Sequence, residues 1–145
     1  MATVQVARER TFVQRAAQIF GWAFVIVGVL GFFATGVSME DDPLLAPRLL
    51  GVFPLNVMHN VVHLLIGVWG IASVGSFSAS KAYAIGAGAI YLLLAVLGVF
   101  SPDMFGMVPI GGNGIWLHLF FGVPLIAIGL MAKHPEVIVT DRETD

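Results

Sequence analysis

Apolar residues in this chain gather into four blocks, separated by short polar, charged or glycine- and proline-rich breaks. The first block, residues 16–37, holds only Gln18 as a strongly polar member and stops at Ser38-Met-Glu-Asp-Asp-Pro43. A second covers residues 54–76, a third 82–100 and a fourth 114–131, after which Lys133 and His134 end the pattern. About 20 helical residues cross a hydrocarbon core of about 30 Å, so each block predicts a transmembrane helix. Pro54 suits the first turn of the second span. The segment LLAPRLLGVF, residues 44–53, is too short and too interrupted to span. It predicts a helix lying on or dipping into the surface, with Arg48 reaching to the interface. Residues 76–81 read as a short polar loop, 104–113 as an irregular glycine- and proline-rich connection near the interface, and 135–145 as a polar, extended or disordered tail. Arg8, Glu9, Arg10 and Arg15 precede the first block as in a signal peptide. That block is long for a signal core and more spans follow, so it reads as a retained first helix.

Composition agrees with the pattern. The 145 residues are 58% hydrophobic and 11% charged, with a mean hydropathy of +0.92. Soluble domains carry about 25% charged residues; an outer surface this apolar is stable only in lipid. The net charge of −2 offers nothing to nucleic acid, and the absence of cysteine removes disulfides, thiolate ligands and thiol nucleophiles. The expected architecture is all-α: a four-helix transmembrane bundle, up-down-up-down, in one domain. Arg8, Arg10, Arg15, Lys81, Lys133 and Arg142 lie on the side of the termini, against Arg48 alone on the other. The positive-inside rule then places both termini in the cytoplasm.

A faint repeat runs through the blocks. His63-Leu-Leu-Ile-Gly67-Val68 resembles His118-Leu-Phe-Phe-Gly122-Val123, and Leu30-Gly31-Phe32-Phe33 resembles Leu97-Gly98-Val99-Phe100. Same order and same direction would fit two parallel helical hairpins related by an axis along the membrane normal. Small residues recur at Gly21, Gly28 and Gly31, at Gly67, Gly70 and Gly75, and at Ala84, Gly88 and Ala95, where backbones can approach closely. Trp22, Tyr83 and Trp116 stand near span ends, as an aromatic belt does, while Trp69 is deeper and should pack against the bundle or a partner.

The polarity inside the spans is uneven. His59 and His63 are one helical turn apart and share a face, flanked by Asn56 and Asn60; His118 opens the fourth span at the depth of His63 if the two helices meet. Three readings follow. The first is a polar bonding network of Asn56, His59, Asn60, His63 and His118 that joins helices, with Trp116 or a backbone carbonyl as further partners. The second is a metal site at His59, His63 and His118, or a haem between His63 and His118 with Gly67 and Gly122 making room. The third is a pocket for a quinone, lipid or pigment, or a contact with a partner protein. The spacing lacks the glutamate of the H-E-x-x-H signature, and no Asp or Glu lies inside a span, which speaks against proton pumps and ion-coupled transporters. Glu40, Asp41, Asp42 and Asp103 could hold a divalent cation at the surface, although such a run more often ends a helix and solvates a loop.

The run Gly51-Val-Phe-Pro-Leu-Asn56-Val-Met-His59-Asn60-Val-Val-His63-Leu-Leu-Ile-Gly67, with the later Trp116-Leu-His118-Leu-Phe-Phe-Gly122, resembles a bacterial family of small four-span membrane proteins catalogued as a domain of unknown function. The resemblance covers residues 16–132. In that pattern an acidic residue or Asn precedes the Trp-Leu-His phrase. Asn113 takes about that place here, set off by Gly114 and Ile115, so it joins the candidate polar positions. The resemblance implies the four-span architecture and a bacterial cytoplasmic membrane, and it implies no reaction. The resulting expectation is a non-enzymatic accessory or structural subunit of a membrane complex, with a haem- or metal-binding redox component and a lipid, quinone or pigment carrier as alternatives.

Overall fold

In the computed structural model, described for residues 9–134, four α-helices form one antiparallel bundle. They are α1 (Phe12–Thr35), α2 (Val57–Ser73), α3 (Phe77–Phe100) and α4 (Asn113–Met131). Three are long and apolar enough to cross a bilayer; α2, with 17 residues, is shorter. Large apolar side chains point outward, among them Phe33 and Phe100, each more than 80% exposed. Inward positions are small: Ala17, Gly21, Gly28 and Gly31 on α1, and Ala84, Ala87, Gly88 and Ala95 on α3. This is the packing of helices solvated by lipid, where van der Waals fit between close backbones replaces a hydrophobic driving force.

Local signals explain the helix ends. Thr11 and Gln14 form a capping box before α1. Asn56 caps α2 and Ser76 caps α3 through side-chain oxygens on the amides of His59 and Ala79. Three sequence expectations are corrected around these helix starts. Residues 76–81 form the cap and first turn of α3, because the Ser76 hydroxyl starts the helix there. Pro54 lies before α2, in a two-residue strand β2 (Phe53–Pro54) paired antiparallel with β1 (Arg48–Leu49). The stretch 44–53 is therefore a turn and a miniature hairpin instead of a surface helix, since Pro47 and the left-handed Leu50-Gly51 turn break any helical run. Arg48 is exposed and donates to the carbonyls of Pro43 and Val52 within its own loop. The connection 104–112 is irregular as expected, with left-handed Met104, Phe105, Gly106 and Gly112, yet it tucks Val108 and Ile110 into the bundle end. Arg8, Arg142 and the tail 135–145 lie outside the described residues.

Helices α1 and α2 make one tight hairpin and α3 and α4 another; α1 and α3 pack across the centre, leaving α2 and α4 at opposite corners. The contacts inside the two hairpins repeat in the register of the sequence repeat. A Cβ on Gly21 would stand 2.8 Å from the Ile71 amide nitrogen, and one on Gly88 2.6 Å from that of Ile126. Gly67 faces Val25 as Gly122 faces Leu92, and Gly31 faces Asn60 as Gly98 faces Ile115. The same register makes Phe24 and Tyr91 equivalent. Their rings stack on each other at 4.9 Å, where α1 meets α3. Two parallel hairpins about a central axis describe the bundle. Gly75, grouped with the close-packing glycines by sequence, is exposed and has nothing near it.

Two aromatic placements also differ from the sequence reading. Tyr83 is fully buried and forms no belt, because Trp69 closes over it edge-on at 5.2 Å. Trp22 is exposed but lies about 15 Å along α1 from Phe12, near mid-helix instead of in a belt, because the helix begins before the first apolar block. Trp116, exposed in the first turn of α4, stands where belt residues belong.

Candidate polar site at the loop end of the bundle

The site is built from the start of α2 outward. Asn56 precedes the helix in an extended conformation, so its side chain folds back: Oδ1 accepts from the His59 amide at 2.9 Å. Its Nδ2 donates to the Met107 carbonyl at 2.8 Å, tying the α3–α4 connection to the α2 cap. Asn56 is wholly buried. One turn on, Asn60 Nδ2 donates to the Thr35 hydroxyl at 2.9 Å, pinning the end of α1. The close approach of Gly31 makes room for the Asn60 amide, since a Cβ there would occupy the position of Oδ1.

The three histidines meet across the long diagonal although the backbones of α2 and α4 do not approach. His59 stacks on His63 at 4.6 Å and lies nearly parallel to His118 at 6.0 Å. His63 Nδ1 lies 3.0 Å from the His59 carbonyl, and as a donor there it leaves Nε2 as the acceptor nitrogen. His118 Nδ1 is buried without a hydrogen-bond partner. Tyr91 sits against both His63 and His118, at 6.2 and 5.3 Å. All three imidazoles are at least 93% buried.

This geometry bears on the ligand readings. A metal ion lies in the plane of each imidazole that binds it, along a nitrogen lone pair. Rings stacked within 15° of parallel do not aim their lone pairs at one point, and no metal-holding group of His, Cys, Asp or Glu occurs among the described residues. A haem held by His63 and His118 would need an open slot between them; here His59 and Tyr91 rest against both rings. Asn113 is exposed at the first turn of α4, in a groove of about 470 Å³ with Asp42 and Arg48, and stands apart from the histidines. The extra glycines before α4 place it there. The acidic residues serve the loops: Glu40 accepts from the Asp42 amide, Asp42 from the Leu44 amide, and Asp103 from the Ser101 hydroxyl.

Four partners of the site escaped the sequence reading: Thr35, the Met107 carbonyl, Phe24 and Tyr91. Tyr91 carries a phenol deep inside an otherwise apolar span, a signal that could have been used. The other three are defined only by the fold. His59 Nδ1, His118 Nδ1 and Asn60 Oδ1 are buried without a hydrogen-bond partner, as is the Tyr83 hydroxyl nearer the other end of α3.

Residues 14–131, from the first turn of α1 to the last residue of α4, match the family model described as Domain of unknown function (DUF4383). The chain belongs to this family. It is a multi-pass membrane protein, and the DUF4383 match takes in both hairpins and every residue of the polar cluster. No curated protein and no solved structure matches the chain.

Proposed function

We propose that the protein is a non-enzymatic accessory or structural subunit of a bacterial inner-membrane complex, and that the cluster of Asn56, His59, Asn60, His63 and His118 is its internal brace. The observation that carries this reading is where the polar atoms are directed. Asn56 joins α2 to the 104–112 connection, Asn60 joins it to α1, and the imidazoles stack on one another with Tyr91 tilted or edge-on against them. A polar group in lipid is costly unless bonded inside the protein, so such a brace fixes one arrangement of helices and leaves the outer faces for lipid or neighbouring subunits.

The test is gentle extraction from native membranes. A stoichiometric co-purifying membrane partner is the expected outcome, together with a preparation that shows no Soret band and no bound metal. A strictly monomeric preparation under repeated mild extraction would argue against a subunit role. A Soret band or stoichiometric metal that disappears in His63→Ala or His118→Ala would replace the brace with a redox-cofactor site.

The basic residues at the termini end support a cytoplasmic location for that end. Because the native chain has no cysteine, single introduced cysteines report orientation directly. Met39→Cys is expected to react with a membrane-impermeant maleimide in intact spheroplasts, and Ser78→Cys only after permeabilisation; the reverse pattern would invert the topology.

A further inference from the structure

The two hairpins create two equivalent seams, one between α2 and α3 and the other between α1 and α4, and the molecule treats them differently. At the α2/α3 seam Trp69 lies edge-on over Tyr83, its ring is packed against Gly86, and the Ser80 hydroxyl bonds to the Ser73 carbonyl at 2.9 Å. The seam is plugged. In the register of the repeat, Trp69 corresponds to Pro124, Tyr83 to Ala16, Ser80 to Val13 and Ser73 to Ile128. Both plugging rings are therefore missing at the α1/α4 seam, and the bonded serine position is apolar. A groove of about 420 Å³ remains there, walled by Val13, Phe77, Pro124, Ile128 and Met131, with Lys133 at its mouth. Lys81 holds the same rim through a 2.9 Å bond from Nζ to the Ala132 carbonyl. The groove opens at the end of the bundle where Arg10 and Arg15 also lie.

We propose that this groove is a lipid site. It takes one acyl chain of an anionic phospholipid, with the headgroup phosphate at the ammonium groups of Lys133 and Lys81. The walls supply apolar contact along about 10 Å of α4 between Pro124 and Met131. The rim supplies positive charge at the depth where a headgroup lies. A protein helix would bring a second backbone to a groove with Lys133 at its mouth and Lys81 bonded to its rim at Ala132; a lipid meets both the apolar wall and the charged rim with one molecule.

The experiment is native mass spectrometry of the full chain, released from mild detergent after incubation with phosphatidylglycerol or phosphatidylcholine. One phosphatidylglycerol per chain is expected to be retained about tenfold better than phosphatidylcholine. Pro124→Trp, which fills the groove as Trp69 fills its counterpart, is expected to reduce retention of both lipids. Ala127→Trp, about one turn nearer the mouth in the same wall, serves if the first variant fails to reach native helix content. Lys133→Glu lies beyond the helix end and is expected to abolish the preference for phosphatidylglycerol without changing the circular dichroism spectrum. Equal retention of the two lipids, retention unaffected by either tryptophan, or a second polypeptide released by the tryptophan variants would each overturn the proposal.

Discussion

Gly88→Val is expected to be the most damaging single substitution in the membrane-embedded core. A Cβ at this position would stand 2.6 Å from the Ile126 amide nitrogen, 2.9 Å from its Cβ and 3.0 Å from its Cα. The obstacle is backbone on a neighbouring helix, which cannot rotate away as a flexible side chain would. Relief requires α3 and α4 to move apart, and that movement would also loosen Gly122 against Leu92 and Gly129 against Ile85. Overpacking costs roughly 1–3 kcal/mol where side chains can give way; with backbone in the path, about 3 kcal/mol is expected. The measurement is the unfolding midpoint in mixed detergent micelles. Gly21→Val should cost a similar amount, because Gly21 meets Ile71 in the same way. Gly75→Ala, with nothing within 4 Å, should change stability by no more than about 0.5 kcal/mol. A tolerant Gly88 beside a sensitive Gly75 would show that the hairpin packing is wrong.

Asn56→Ala is expected to cost about 2 kcal/mol. About 1 kcal/mol comes from the lost helix cap on the His59 amide. A similar amount comes from the severed bond to Met107, whose carbonyl loses its amide donor near the bundle end. The two losses have different locations, so hydrogen exchange separates them. The His59 amide should lose protection through fraying of the first turn of α2, and the 104–112 connection should exchange faster because its tether to α2 is gone. Loss of stability without faster exchange in 104–112 would mean that the Asn56–Met107 bond does not hold the connection in place.

These two residues illustrate how unevenly the sequence discloses the structure. Gly88 and Gly21 belong to visible small-residue patterns, and their burial follows from the physics of helices in lipid. Asn56 is visible as a polar residue before an apolar run, which suggests a cap. Its second bond, to a carbonyl about fifty residues away, has no local signature. Tyr83 was misplaced because position along a span indicates depth in the bilayer without indicating which helix face a residue occupies. Asn113 joined the histidines through the family resemblance, by its place before the Trp-Leu-His phrase, and the glycine-rich entry to α4 turns it outward.

The sequence by itself determined that the chain lies in a membrane, that it does so as four apolar helices, and that its internal polarity gathers on α2 and α4 toward one end. Composition, block length and the placement of charges suffice for this, because lipid penalises every unpaired polar group and so writes its constraint into each segment separately. It also carried the register of the repeat through His63 and His118. Only the tertiary structure decided that the imidazoles lie as a parallel stack against Tyr91. That arrangement depends on α1 and α3 closing over the centre and leaving the histidines to reach across a diagonal. The difference between a plugged seam and an open one likewise became visible only when the two hairpins were placed side by side. A groove is a relation between helices, and Pro124 and Ala16 look unremarkable until they are seen to stand where Trp69 and Tyr83 stand in the other half.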